Sequence, residues 1–90
     1  MKLKYQFVLV PMNGQMIAAA VGQDNQRFNG MIKLNPGGEV IFRMLQTGCT
    51  QKELLTGFAT HFGISEEMAC NSVAAFLEQL RQNDLLVEEF

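Results

Sequence analysis

Alternation opens the chain: Tyr5, Phe7 and Leu9 interleave with Lys4, Gln6 and Val8 at the period of two that marks a half-buried strand. Pro11 withdraws a ladder donor where that strand is expected to stop. Asn13-Gly14 then supplies two residues that tolerate positive φ, the signal of a tight hairpin, so Met16 to Val21 is expected as the return strand. Its run Ala18-Ala19-Ala20 is a poor strand former, and this strand rests on the hairpin more than on propensity. Beyond the polar stretch Gly22-Gln23-Asp24-Asn25-Gln26, Phe28, Ile32 and Leu34 alternate with Asn29, Met31 and Lys33 in a third strand over residues 28–34. Only Gln26-Arg27-Phe28 precedes Asn29-Gly30, too little for a hairpin arm, so Gly30 reads as a bulge or a place of close backbone approach.

The period then changes to that of helices. Asn35-Pro36-Gly37-Gly38 ends the sheet and opens a helix with Val40, Ile41, Met44 and Leu45 on one stripe, stopped by Gly48. Thr50 and Glu53 have the spacing of a capping box, in which each side chain satisfies an orphan backbone N–H at a helix start. Leu54, Leu55, Phe58, Ala59 and Phe62 form the buried face of that second helix, over about residues 51–62, and Gly63 fits its left-handed end. Ser65 caps a third and longest helix, with Glu66 and Glu67 at the positive end of its dipole and Met68, Ala69, Val73, Phe76, Leu77 and Leu80 as its apolar positions. A small antiparallel sheet followed by helices, two of them joined by the short Gly63-Ile64 turn, is a winged helix-turn-helix-like α+β fold.

Ninety residues, 48% hydrophobic and 18% charged, place residues 1–90 in one globular domain with a thin stability margin. The net charge of −2 is unevenly spread: residues 1–45 carry five bases against two acids, and residues 46–90 two bases against seven acids. No apolar run approaches the length of a membrane span, and Met1-Lys2-Leu3-Lys4 lacks the apolar stretch of a signal peptide, so the cytoplasm is the expected location. Cys49 and Cys70 form no C-x-x-C pair and no disulfide framework.

Catalytic chemistry is not visible. His61 is the lone histidine and reads as a solvated residue at a helix end, with no nucleophile motif beside it. Glu66-Glu67 and Glu88-Glu89 read as solvated charge, and Pro36-Gly37-Gly38-Glu39 lacks the lysine and the full fingerprint of a phosphate loop. Neither a metal nor a cofactor is implied, and the expectation is a protein that is not an enzyme.

An ordered series of motifs resembles the PqqD family: Phe28-Asn29-Gly30-Met31-Ile32-Lys33-Leu34-Asn35, Gly38 and Ile41, Thr50 to Glu53, Phe62, then Val73-x-x-Phe76-Leu77-x-x-Leu80 with Leu85-Leu86. The resemblance covers about residues 28–86, and residues 1–27 share only the pattern. It implies a three-stranded winged helix-turn-helix domain that binds the leader of a ribosomally made precursor peptide and presents it to a modifying enzyme. In the named example that enzyme is a radical S-adenosylmethionine enzyme of pyrroloquinoline quinone synthesis. Thr47-Gly48 stands where the family often has Asp-Gly, Ser72 where it often has Asp, and Asp84 where it often has Gly. These differences bear on which peptide is bound rather than on the fold.

The physics of a small sheet agrees with that implication. A third strand at the edge offers unpaired N–H and C=O groups to which an extended peptide can add as a fourth strand. The expected site is therefore Asn29, Gly30, Met31, Ile32, Lys33 and Leu34 on the strand, with Ala69, Ser72, Phe76 and Asn83 of the third helix across a groove. Val73, Leu77 and Leu80 are assigned to the core. Arg27 and Lys33 near the edge favour a leader with an acidic residue near its pairing segment. Against this stand ordinary core or surface roles for Phe76 and Met31, a homodimer paired through its own edge strands, and a winged-helix DNA-binding regulator reading with residues 51–83. The last is disfavoured because the third helix has Arg81 as its single basic residue among several acids.

Overall fold

The computed structural model describes residues 1–21 and 31–88. Its elements in chain order are β1 (Lys2–Leu3), β2 (Phe7–Met12), β3 (Gln15–Ala20), β4 (Met31–Leu34), α1 (Pro36–Thr47), α2 (Gln51–Phe62), α3 (Glu66–Gln82) and β5 (Leu86–Val87). An antiparallel sheet of order β2-β3-β4 is followed by the three helices, and β1 and β5 form a separate antiparallel ribbon. The expected α+β architecture is present, and the ribbon is an addition that the sequence pattern did not announce.

Asn13 and Gly14 both take positive φ, 53° and 77°, and join Met12 to Gln15 as the two-residue hairpin that the strand twist favours. β2 passes through Pro11 instead of stopping there. Register explains the tolerance. The closing pair Met12–Gln15 and the bond from the Val21 N–H to the Gln6 carbonyl (3.1 Å) put the even residues of β2 in the ladder with β3. The backbone of Pro11 therefore faces the outer edge, where a missing donor costs nothing.

Phe7, Ala18, Ala20 and Leu34 turn toward the helices and join Ile41, Phe42, Leu45, Leu54, Phe58, Ala69, Val73, Leu77 and Leu80 in one buried cluster. The alanines that weaken strand propensity are thus core residues of the inner face, with Ala18 fully buried. The Phe7 ring meets Phe42 edge to face, with centroids 5.1 Å apart. The opposite sheet face exposes Val8, Val10, Met12 and Met31. Two residues expected in the helical core lie outside it: Phe62 is 38% and Met68 61% exposed. Each sits within a turn of the α2–α3 connection, where the helix ends run past the packed region; Phe62 stacks on Phe58 instead, centroids 4.8 Å apart.

Caps set the helix limits. The Asn35 side chain accepts from the Gly38 N–H at 2.7 Å, and Pro36 follows in the first turn. In the capping box, Thr50 Oγ1 accepts from the Glu53 N–H at 3.1 Å and the Glu53 carboxylate accepts from the Thr50 N–H at 2.8 Å. The bond from the Thr50 N–H, and after it the Thr50 hydroxyl, hold the Glu53 carboxyl below its ordinary range. The stabilisation they give is complete above that range and is lost as pH falls through the lowered value. Thr50→Ala should cost about 1 kcal/mol by urea unfolding at neutral pH. The advantage of the wild type over Glu53→Leu should shrink on acidification; a pH-independent difference would show that the carboxylate is not holding the cap.

Gly63 closes α2 in the left-handed region (φ 64°, ψ 38°). After α3, Asp84 also has positive φ (57°), and the Leu85 N–H returns to the Leu80 carbonyl at 2.9 Å. A glycine is easiest there, and Asp is among the few other residues that tolerate it. The Asp84 carboxylate also accepts from Lys4 Nζ at 2.7 Å, which raises the lysine pKa. That bond ties the helix end to the ribbon, beside the bond from the Lys4 N–H to the Leu85 carbonyl (2.8 Å). Glu88 is likewise more than solvated charge: its carboxylate accepts from Arg81 at 2.7 Å and is lowered by it.

Candidate functional site

Because odd residues of β3 bond to β2, its even residues bond to β4, and the pairs Met16–Leu34 and Ala18–Ile32 carry the ladder. The N–H and C=O groups of Met31 and Lys33 consequently point away from the sheet. Their side chains also face outward, Met31 being 68% exposed, while Ile32 is half-buried and Leu34 buried on the helix side. The other edge is less available. On β2, Pro11 has no donor, and the Phe7 carbonyl already accepts from Gln46 Nε2 at 3.0 Å.

Beside the β4 edge runs a groove of about 300 Å³. Met31, Ile32 and Lys33 form one wall, Phe76, Gln79 and Asn83 the other, over the buried Leu80 and Leu85. Asn83 is the C-cap of α3, and its side-chain amide donates to the Gln79 carbonyl at 2.8 Å, which fixes this wall. Phe76 is half-buried and leans on α1. A Cβ placed on Gly38 would lie 2.8 Å from Phe76 Cε1, so the absent side chain is what admits the ring.

The structure brings together Met31, Ile32, Lys33, Phe76 and Asn83 of the expected site. Leu34 contributes ladder bonds and a core side chain. Ser72 lies one turn further along α3, on a second cleft. Asn29, Gly30, Phe28 and Arg27, and the expected bulge, lie outside the described residues. Ala69 is a correction: it is fully buried in the core, not on the groove. At about 100° per residue it sits about 20° from both Leu80 and Phe76, so the stripe alone does not separate core from groove, and the packing of α3 decides the matter. Sequence reasoning missed Gln79, although its spacing of seven from Ser72 and three from Phe76 puts it on the same stripe as Asn83.

Among the described residues no group of three His, Cys, Asp or Glu side chains could hold a metal ion. His61 is exposed and packs edge to face on Phe62, centroids 4.8 Å apart. Burial pushes the half-buried Cys49 thiol up, away from the thiolate that nucleophilic chemistry needs. No helix among the described residues is long and apolar enough to cross a membrane.

The open edge, the adjacent groove and the helix pair behind them define a winged helix-turn-helix-like domain that offers backbone hydrogen bonds along one strand. Compared with known protein families, residues 6–86 match PqqD, coenzyme PQQ synthesis protein D, and the chain belongs to the PqqD family. The match takes in the β2–β3 hairpin as well as the motif series from residue 28 onward. Comparison with curated proteins and with solved structures gave no match.

Proposed function

We propose that residues 1–90 form one non-catalytic peptide-recognition domain. It binds the leader of a ribosomally synthesised precursor peptide by strand addition to β4 and presents it to a modifying enzyme, in line with the radical S-adenosylmethionine enzyme that the family resemblance implies. The observation that carries this reading is the asymmetry of the sheet: Met31 and Lys33 turn two N–H and two C=O groups outward beside an apolar groove, while Pro11 and Gln46 blunt the opposite edge. Pairing through backbone groups gives affinity with little demand on sequence, and the groove adds side-chain selection. The charge on α3 speaks against nucleic acid: its base, Arg81, is engaged by Glu88 at 2.7 Å and Glu78 at 3.5 Å.

The test uses synthetic peptides covering the short reading frames next to the gene, titrated into the isotope-labelled protein. Hydrogen exchange at the Met31 and Lys33 amides should slow on binding, and the peptide should be released unmodified when no second protein is present. Failure of every such peptide to bind, or unchanged exchange at both amides in a bound complex, overturns the reading. Lys33→Glu should weaken an acidic leader about fivefold and flatten the salt dependence of its affinity; equal affinity would remove Lys33 from the site. Phe76→Ala should cost about 1–3 kcal/mol of binding. Because Phe76 is only half-buried, thermal unfolding should move less than for a core phenylalanine, and a folded variant with unaltered affinity would exclude the ring from contact.

A further inference from the structure

A second hollow, of about 450 Å³, lies where α1 begins, between Asn35–Gly38, Phe58 of α2 and the Ser72–Phe76 stretch of α3. It is separate from the strand groove but shares Phe76 and Gln79 with it, so the two meet at one ring. Among the described residues no charged side chain lines it. Of its polar groups, the Asn35 side chain is already committed to the Gly38 N–H at 2.7 Å. Its apolar walls come from Pro36, Phe58, Ala75 and Phe76 over the buried Ile41.

The adjacent glycines make this hollow what it is. A Cβ on Gly37 would meet the Phe58 ring at 3.4 Å, and one on Gly38 would meet Phe76 at 2.8 Å. Two glycines in a first helical turn sacrifice helix propensity; at Gly38 the Phe76 ring closes on the backbone, whereas at Gly37 a Cβ would only touch Phe58. The result is an uncharged cleft with an aromatic ring on two sides, within the size range of ligand pockets.

Its position specifies the occupant. β4 runs from Met31 to Leu34 directly into Asn35 and Pro36, so the cleft lies at the Leu34 end of the open edge. A strand added antiparallel, the pairing of the rest of this sheet and the more stable one per residue, passes that end before it reaches Met31. We propose that the cleft is a subsite for an aromatic or branched aliphatic side chain of the same peptide, located on the N-terminal side of its pairing segment. This rests on the strand-addition reading. It makes the leader a two-part ligand, an apolar anchor followed by an extended segment, and adds to the groove's side-chain selection a second selective site beyond the strand.

The cleft can be tested without the peptide. N-acetyl-phenylalaninamide and N-acetyl-leucinamide, fragments expected to bind in the millimolar range, are titrated into the labelled protein with N-acetyl-glycinamide as control. The two apolar fragments should shift the Gly37, Gly38 and Ser72 amides and the control should not. Ala75→Leu fills the cleft from an exposed position on α3 with a good helix former and should abolish the shifts at Gly37 and Gly38. Ser72→Leu does the same from the preceding turn if the first variant unfolds. Absence of apolar-selective shifts, or shifts that survive both substitutions, overturns the subsite. With a leader that binds, Ala75→Leu should cost about tenfold in affinity, and replacing the peptide's anchor by Ala should matter on the wild type but not on the filled variant. Affinity lost with Met31→Pro but untouched by Ala75→Leu would overturn the subsite and leave strand addition standing. Affinity untouched by Met31→Pro would overturn strand addition itself.

Discussion

Met31→Pro should abolish most leader binding, at least about tenfold in affinity or about 1.4 kcal/mol, while the protein stays folded. The Met31 N–H points outward, so its loss removes a donor from the added strand without breaking the β3–β4 ladder, and the proline ring also obstructs approach along the edge. Pro11 shows the same arrangement on the opposite edge, where a proline sits in β2 with its backbone turned out. Ile32→Pro is the counterpart. Its N–H lies in the ladder opposite Ala18, so this substitution should unfold or strongly destabilise the sheet. Urea unfolding and peptide titration on both variants separate the cases. Equal destabilisation by the two prolines would mean that the outward alternation of β4 is wrong; a folded Met31→Pro protein with full affinity would exclude the edge as the binding site.

Phe42→Ala should lower the stability by about 3–5 kcal/mol, the cost of emptying a fully buried aromatic site. Among the described residues Phe42 is the largest side chain buried without remainder, and its edge-to-face contact with Phe7 joins α1 to the inner face of β2 beside the Gln46–Phe7 hydrogen bond. A chain of 90 residues has on the order of 5–13 kcal/mol of stability to lose. Thermal unfolding should therefore fall by at least about 12 °C. A shift of a few degrees only would mean that the surrounding helices close over the space, and that the packing of α1 on the sheet tolerates more change than a close-packed core permits.

The helices were legible because their limits are local chemistry. Asn35, Thr50 with Glu53, and Ser65 each cap the helix that the sequence announces there, and α2 runs from Gln51 to Phe62 as its apolar spacing and Gly63 indicate. The Asn13-Gly14 turn was equally explicit, since two successive positive φ values leave few residue choices. From that turn the register of β2 with β3 follows, whereas the outward face of β4 depends on its own pairing with β3.

What the amino-acid order determined, then, is a hairpin, a strand ahead of a capped helix and a helix-turn-helix, together with most of the residues that share the groove. The tertiary structure alone decided the rest, because it depends on partners distant in sequence. Lys2 and Leu3 find their strand partners in Val87 and Leu86, an association that no local period can show. Ala69 enters the core and Gln79 the groove because the sheet sets the axis about which α3 divides, and a helix stripe read by itself has no such reference. Pro11 continues a strand because its missing donor falls on the free side of a ladder whose register the hairpin imposes. The cleft at Gly37 and Gly38 exists only where three helices bring Phe58 and Phe76 against one helical turn, so its chemistry is a property of the packing rather than of any single segment.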